Sequence, residues 1–161
     1  MTTIETALET AWDKLLDAYE NKELEEHARV ALIEKMGDLI HEIARATYDL
    51  RISTWTTIGL TEPKSRAEWY LRAGFTDTGS FVDLQLCEPG NPRKWYRGGG
   101  RNSFVLYGGD LAAVPRGLLT AAARHLPKIA GAIAEKTAHS RQDTEAALAD
   151  LDAYVAKKEG M

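Results

Sequence analysis

Apolar residues first recur at Ile4, Leu8, Ala11, Leu15 and Ala18, alternating steps of four and three that place them along one helical stripe. Thr2 and Glu5 stand ahead of them at capping-box spacing. The stripe lapses at Glu20-Asn21-Lys22-Glu23, where a turn is predicted. It resumes from about Leu24 to Tyr48 through Ala28, Leu32, Met36, Leu39 and Ile43. Val30, Ile33 and Ile40 widen this second stripe to a face that needs more than one neighbour. Residues 3–48 therefore read as a helical hairpin.

At Leu50 the period switches from helical to two. Leu50, Ile52, Thr54, Thr56, Ile58 and Leu60 alternate with Arg51, Ser53, Trp55 and Thr57, a β-branched pattern that predicts a strand ended by Glu62-Pro63. Ser65 and Glu68 then have the spacing to cap a short helix through Arg72, with Gly74 beyond its end. A second strand is predicted over Phe81–Cys87, with Val82, Leu84 and Leu86 inward. Glu88-Pro89-Gly90-Asn91-Pro92 is a turn by composition. Arg93–Arg97 fits a short strand or an extended loop, and Asn102–Tyr107 a last strand closed by Gly108-Gly109-Asp110. From Pro115 a helical stripe returns through Leu118, Ala122, Leu126, Ile129 and Ile133, with Pro127 placed to kink or restart the helix. Ser140 suits the cap of a final helix lined by Leu148, Leu151 and Val155.

This order predicts an α+β protein. An antiparallel sheet of three to four strands occupies the middle of the chain (residues 50–107), the helical hairpin precedes it, and two or three helices (115–158) follow. Without internal repeats or a dividing linker, residues 1–161 read as one domain. The narrow stripes of the first and last helices suit pairing with each other or with a second copy, so a homo-oligomer is expected.

Composition narrows the class without naming an activity. With 161 residues, 44% hydrophobic and 27% charged, the chain is neither a disordered tail, a collagen-like repeat nor a disulfide-framed miniprotein. A single cysteine, Cys87, can form neither an internal disulfide nor a thiolate metal site. Its apolar and acidic neighbours point to a buried structural thiol. That usage suits a reducing compartment, and no targeting or membrane-spanning pattern is visible, so a soluble cytoplasmic protein without membrane contact is expected.

Charge is unevenly placed. Residues 1–50 carry 12 acids against 5 bases, residues 51–101 carry 5 against 8, and residues 102–161 balance at 7 and 7. A net charge of −4 disfavours non-specific DNA binding. The basic centre nevertheless leaves room for a local anion site.

The most distinctive segment lies in that centre: Arg93-Lys94-Trp95-Tyr96-Arg97-Gly98-Gly99-Gly100-Arg101-Asn102-Ser103. Glycines bring backbone amides close to a ligand, arginines pair bidentately with phosphate, and aromatic faces stack on a base. The candidate ligand-binding residues are therefore Arg93, Trp95, Tyr96, Arg97, Gly98, Gly99, Gly100 and Arg101. Arg97 and Arg101 would clamp a phosphate while Trp95 or Tyr96 stacks. The segment matches neither the dinucleotide fingerprint nor the P-loop, so it implies no cofactor. Its plainer reading is a flexible hairpin loop with solubilising cations. Trp55, predicted to point away from the core, needs a cover of its own, for which a helix is the readier candidate.

Other clusters carry less. His41-Glu42 begins like a zinc-protease helix, but Arg45 stands where the second ligand belongs. Glu34, Asp38 and Glu42 form a ridge suited to solvent, and His27, His125 and His139 have no nucleophile or acid at suggestive spacing. The basic residues after Pro115 suit the polar face of a surface helix. The leading expectation is a non-catalytic binding protein that captures a phosphorylated small molecule, nucleotide-like, and uses no metal. A protein–protein inhibitor, immunity-type or adaptor protein is the second. An enzyme on a phosphorylated substrate, with no catalytic residues to nominate, is the third.

Overall fold

The computed structural model describes residues 3–98 and 100–160, with side chains from Thr10 onward. The chain is α+β, with a four-stranded antiparallel sheet between two long helices. Helix α1 spans Thr3–Leu50; strands β1 (Thr54–Thr61), β2 (Glu68–Thr76), β3 (Gly79–Cys87) and β4 (Ser103–Val105) follow in chain order across the sheet. A 3-10 turn (Leu111–Ala113), capped by the Asp110 carboxylate, leads into α2 (Arg116–Glu159). Two compact units result, residues 1–36 and 37–161.

The expected helical hairpin is one continuous helix. Glu20, Lys22 and Glu23 are strong helix formers, Asn21 costs only tenths of a kcal/mol, and neither Gly nor Pro interrupts them. The lapse in the apolar stripe marks a solvated stretch and no turn. The helix ends instead at Leu50, where Arg51 takes a left-handed φ of 56° and the Ile52 amide bonds back to the Thr47 carbonyl at 3.1 Å. This six-to-one closure is a Schellman stop without its usual glycine. The Arg51 guanidinium lies over the Tyr48 and Phe75 rings, at 4.6 and 5.3 Å. Strand β1 accordingly starts at Thr54, four residues later than the pattern predicts. The capping box at Thr2 and Glu5, with Ile4 and Leu8, lies outside the described side chains.

The short helix predicted from Ser65 to Arg72 is a turn and a strand. Glu62 accepts hydrogen bonds from both the amide and the hydroxyl of Ser65, and Arg66 adopts a left-handed φ of 61°, which breaks any helix at its start. Glu68-Trp69-Tyr70-Leu71 is then free to pair on both sides, as its aromatic content favours. The helices predicted after the sheet are likewise one. Pro127 faces solvent, where water can serve the carbonyl it cannot bond, and Ser140 is an ordinary exposed helix position without a cap role.

Strand register divides the sheet into two faces. Thr54, Ala73 and Val82 align across the first three strands, as do Thr56, Leu71, Leu84 and Phe104 across all four, and most of these residues are buried. The core is completed by Ile40, Ile43, Ala44 and Thr47 of α1 and by Leu119, Ala122, Leu126, Ile129 and Ile133 of α2, which packs on β1 and β2. The other face aligns Trp55, Arg72, Asp83 and Val105, then Thr57, Tyr70, Gln85 and Ser103. No helix among the described residues is long and apolar enough to cross a membrane.

One buried hydroxyl ties helix to sheet. Thr47 Oγ1 reaches the Ala44 carbonyl at 2.8 Å and, across the core, the Gly74 carbonyl at 3.1 Å. Thr47→Val keeps the shape and removes the donor, so it should destabilise the fold by about 1 kcal/mol. A lower urea midpoint at unchanged slope is the expected reading, and an unmoved midpoint would show that the bond contributes nothing.

Candidate functional site

Beyond β3 the chain leaves the sheet for fifteen residues, 88–102, and returns as β4. This excursion is held at several points. The Glu88 amide donates to the Lys94 carbonyl (2.9 Å), the Tyr96 amide to the Leu86 carbonyl (3.0 Å), and Cys87 forms an isolated antiparallel bridge with Trp95. Arg93–Arg97 is thus an extended loop with one bridge residue.

Asn102 is the hub that closes the loop. Its side-chain amide donates to the Tyr96 carbonyl at 2.9 Å and to the Gly98 carbonyl at 3.1 Å. Its own carbonyl accepts from the Leu86 amide at 2.8 Å and from Gln85 Nε2 at 3.1 Å. Gln85 is only 3% exposed, so these bonds compensate a buried carboxamide that would otherwise cost about 1–3 kcal/mol. The Cys87 thiol is buried below, donates to the Pro92 carbonyl at 3.4 Å, and is pushed up in pKa by its burial.

Between the loop and the sheet lies a cleft of about 640 Å³, within the range that takes a small molecule. Arg93, Lys94, Trp95, Tyr96, Arg97 and Gly98 line it, together with Gln85, Glu88, Asn102 and Ser103. Lys94 pairs with Glu88 at 3.2 Å, whereas Arg93 and Arg97 are exposed and, among the described residues, have no ion-pair partner. Gly98 is in close approach: a Cβ there would meet the far end of the Tyr96 ring, which would have to shift. The cleft therefore has two uncommitted guanidinia, a phenol pressed on a glycine, and an indole at its rim.

The structure does not bring all the predicted residues together. Arg93, Trp95, Tyr96, Arg97 and Gly98 meet in the cleft. Arg101 is drawn elsewhere: its Nε donates to the Ser103 carbonyl at 3.1 Å and its guanidinium stacks 4.2 Å from Phe104, a core-face residue. Gly100, with φ at 91°, shapes the turn and lies outside the lining, and Gly99 lies outside the described residues. The Arg97–Arg101 clamp is thus not assembled. Asn102 and Gln85 were invisible as site residues because their role depends on register, although an asparagine after a glycine run is a fair signal of a loop closure.

A second feature adjoins the cleft on the outward face of the sheet. Arg72 grips Asp83 with two hydrogen bonds of 2.8 Å, and its guanidinium lies 5.4 Å from the Phe81 ring and 5.6 Å from that of Trp95. Trp55 meets Tyr70 edge to face at 5.8 Å. Half of Trp55 remains open (52% exposed), so no helix among the described residues covers it as the sequence suggested. No family model matches the chain, and neither a curated protein nor a solved structure does.

Tyr70 offers a spectroscopic handle on this region. Burial, then the hydrogen bond from its hydroxyl to the Glu68 carboxylate (3.0 Å), push its pKa up to about 12. The folded state thus holds this proton more tightly than the unfolded state, whose phenol titrates near 10. The contribution is fully present below pH 10 and is lost as pH rises toward 12. A phenolate absorbance titration should find an ionisation step near pH 12, and Tyr70→Phe should remove it.

Proposed function

We propose that the protein binds, without transforming it, a phosphorylated small molecule that carries an aromatic ring, a nucleotide in kind, in the cleft under loop 88–102. The observation that supports this reading most is the pairing of uncommitted Arg93 and Arg97 with the half-exposed indole of Trp95 around a cleft of about 640 Å³. Guanidinia without internal carboxylate partners keep their donors for an oxyanion, and the indole supplies a face for the ring. The phosphate contact falls to Arg93 and Arg97, since Arg101 is spent on Ser103 and Phe104. Tryptophan fluorescence titrated with adenosine triphosphate tests it. Arg93→Ala/Arg97→Ala should lose at least about tenfold in affinity, with a melting temperature within about 2 °C of the wild type. Unchanged binding in the double variant, or none in the wild type, would sink the reading.

A second reading attaches to the helices. Leu151 lies about five turns beyond buried Ile133 on the same side of α2, so the stripe that is buried over Leu118–Ile133 continues in the open as Leu148, Leu151 and Val155. An exposed apolar face in phase with a buried one suits a second copy of the chain. Sedimentation velocity should return a dimer or larger assembly, and Leu148→Lys/Leu151→Lys should return a monomer. A monomeric wild type at tens of micromolar rules this out.

A further inference from the structure

The outward face of the sheet carries an aromatic row that the cleft alone does not use. Trp55 on β1 is the direct cross-strand partner of Arg72 on β2, so their side chains rise side by side from the same face. On the far side of Arg72, the Trp95 ring sits 5.6 Å from the guanidinium carbon. Two indoles, each more than half exposed (52% and 55%), thus stand on the face that carries Arg72, Trp55 beside it in the ladder and Trp95 against its guanidinium. The row is held rigid from beneath. Asp83 fixes Arg72 bidentately, Phe81 backs it, and the Tyr70 edge contact fixes Trp55.

We infer that this row extends the cleft into a stacking platform for a single-stranded nucleic acid, which would lay one base on Trp95 and another, further along the strand, on Trp55 while Arg93 and Arg97 hold its backbone. The inference rests on the cleft reading and enlarges its ligand from a nucleotide to an oligonucleotide. Planar aromatic groups on an open sheet face next to unpaired cations are what unstacked bases and their phosphates need. Charge favours it locally: residues 51–101 hold 8 bases against 5 acids. Two of those acids, Asp83 and Glu88, are already paired with Arg72 and Lys94. The acids that make the chain negative overall are concentrated in residues 1–50, 12 against 5. A duplex could not use the platform, because its bases are stacked on each other.

The test is fluorescence anisotropy of a labelled uridylate octamer on the full chain, beside the adenosine triphosphate titration. The octamer should bind at least about tenfold tighter than the mononucleotide and than a duplex of equal length. Trp55→Ala should weaken the octamer by about tenfold and leave the mononucleotide unchanged, while Trp55→Phe, which keeps a ring, should retain most of the affinity. Removing Arg93 or Arg97 should flatten the salt dependence of octamer binding by about 0.7 per arginine. An octamer that binds no better than the mononucleotide, or that ignores Trp55→Ala, overturns the platform and leaves the cleft reading standing if that still requires the arginines. Octamer binding that needs Trp55 but not Arg93 or Arg97 overturns the cleft reading and, with it, the backbone contact assigned to those arginines. Absence of binding by either probe overturns both.

Discussion

The register of the β2–β3 hairpin is the constraint on which the outward surface depends. Its two strands pair without interruption from Glu68 with Cys87 to Thr76 with Gly79, joined by only Asp77 and Thr78. Side chains alternate with a period of two, so a slip of one residue would exchange the faces. Leu71, Val82, Leu84 and Leu86 would then meet water, and Arg72, Asp83 and Gln85 would enter the core. Burial of the apolar set locks the register. The Arg72–Asp83 pair, placed directly across the ladder, is its polar counterpart.

Loop 88–102 depends in turn on that register. Gln85 faces outward only because Leu84 and Leu86 face inward, and its carboxamide then reaches Asn102. Asn102 passes the constraint to the Tyr96 and Gly98 carbonyls, so the loop is anchored at its base. A loop rich in glycine would otherwise spend much of any binding energy on being ordered. Here the carbonyl latches and the Cys87–Trp95 bridge set the indole against Arg72 within the fold itself.

The helices show a different physics. Both carry large apolar groups in the open, among them Trp12, Leu15, Leu16 and Tyr19 on α1 and Leu148, Leu151 and Tyr154 on α2. On α1 these sit among Asp13, Asp17, Glu20 and Glu23, whose carboxylates surround the apolar side chains with negative charge. The acidic excess is thus carried by the helix, and the cationic excess by the sheet and its loop.

The apolar periodicity determined the α+β class, the core stripe from Leu118 to Ile133, the inward set Val82, Leu84 and Leu86 and the outward Trp55, and composition alone marked the basic glycine loop. These follow from spacing and residue type, which are local. Where local signals competed, tertiary structure decided. A polar gap at Glu20–Glu23 was compatible with both a turn and a solvated helix, and good helix formers with no breaker favoured the helix. Ser65 and Glu68 had capping spacing, yet pairing of Glu68–Thr76 with two neighbouring strands outweighed one capped turn. Arg101 could have faced the cleft, but the Phe104 ring and the Ser103 carbonyl hold it on the other side of the sheet. The Trp55–Arg72–Trp95 row joins residues far apart in the chain, and only strand register and loop closure bring them onto one face.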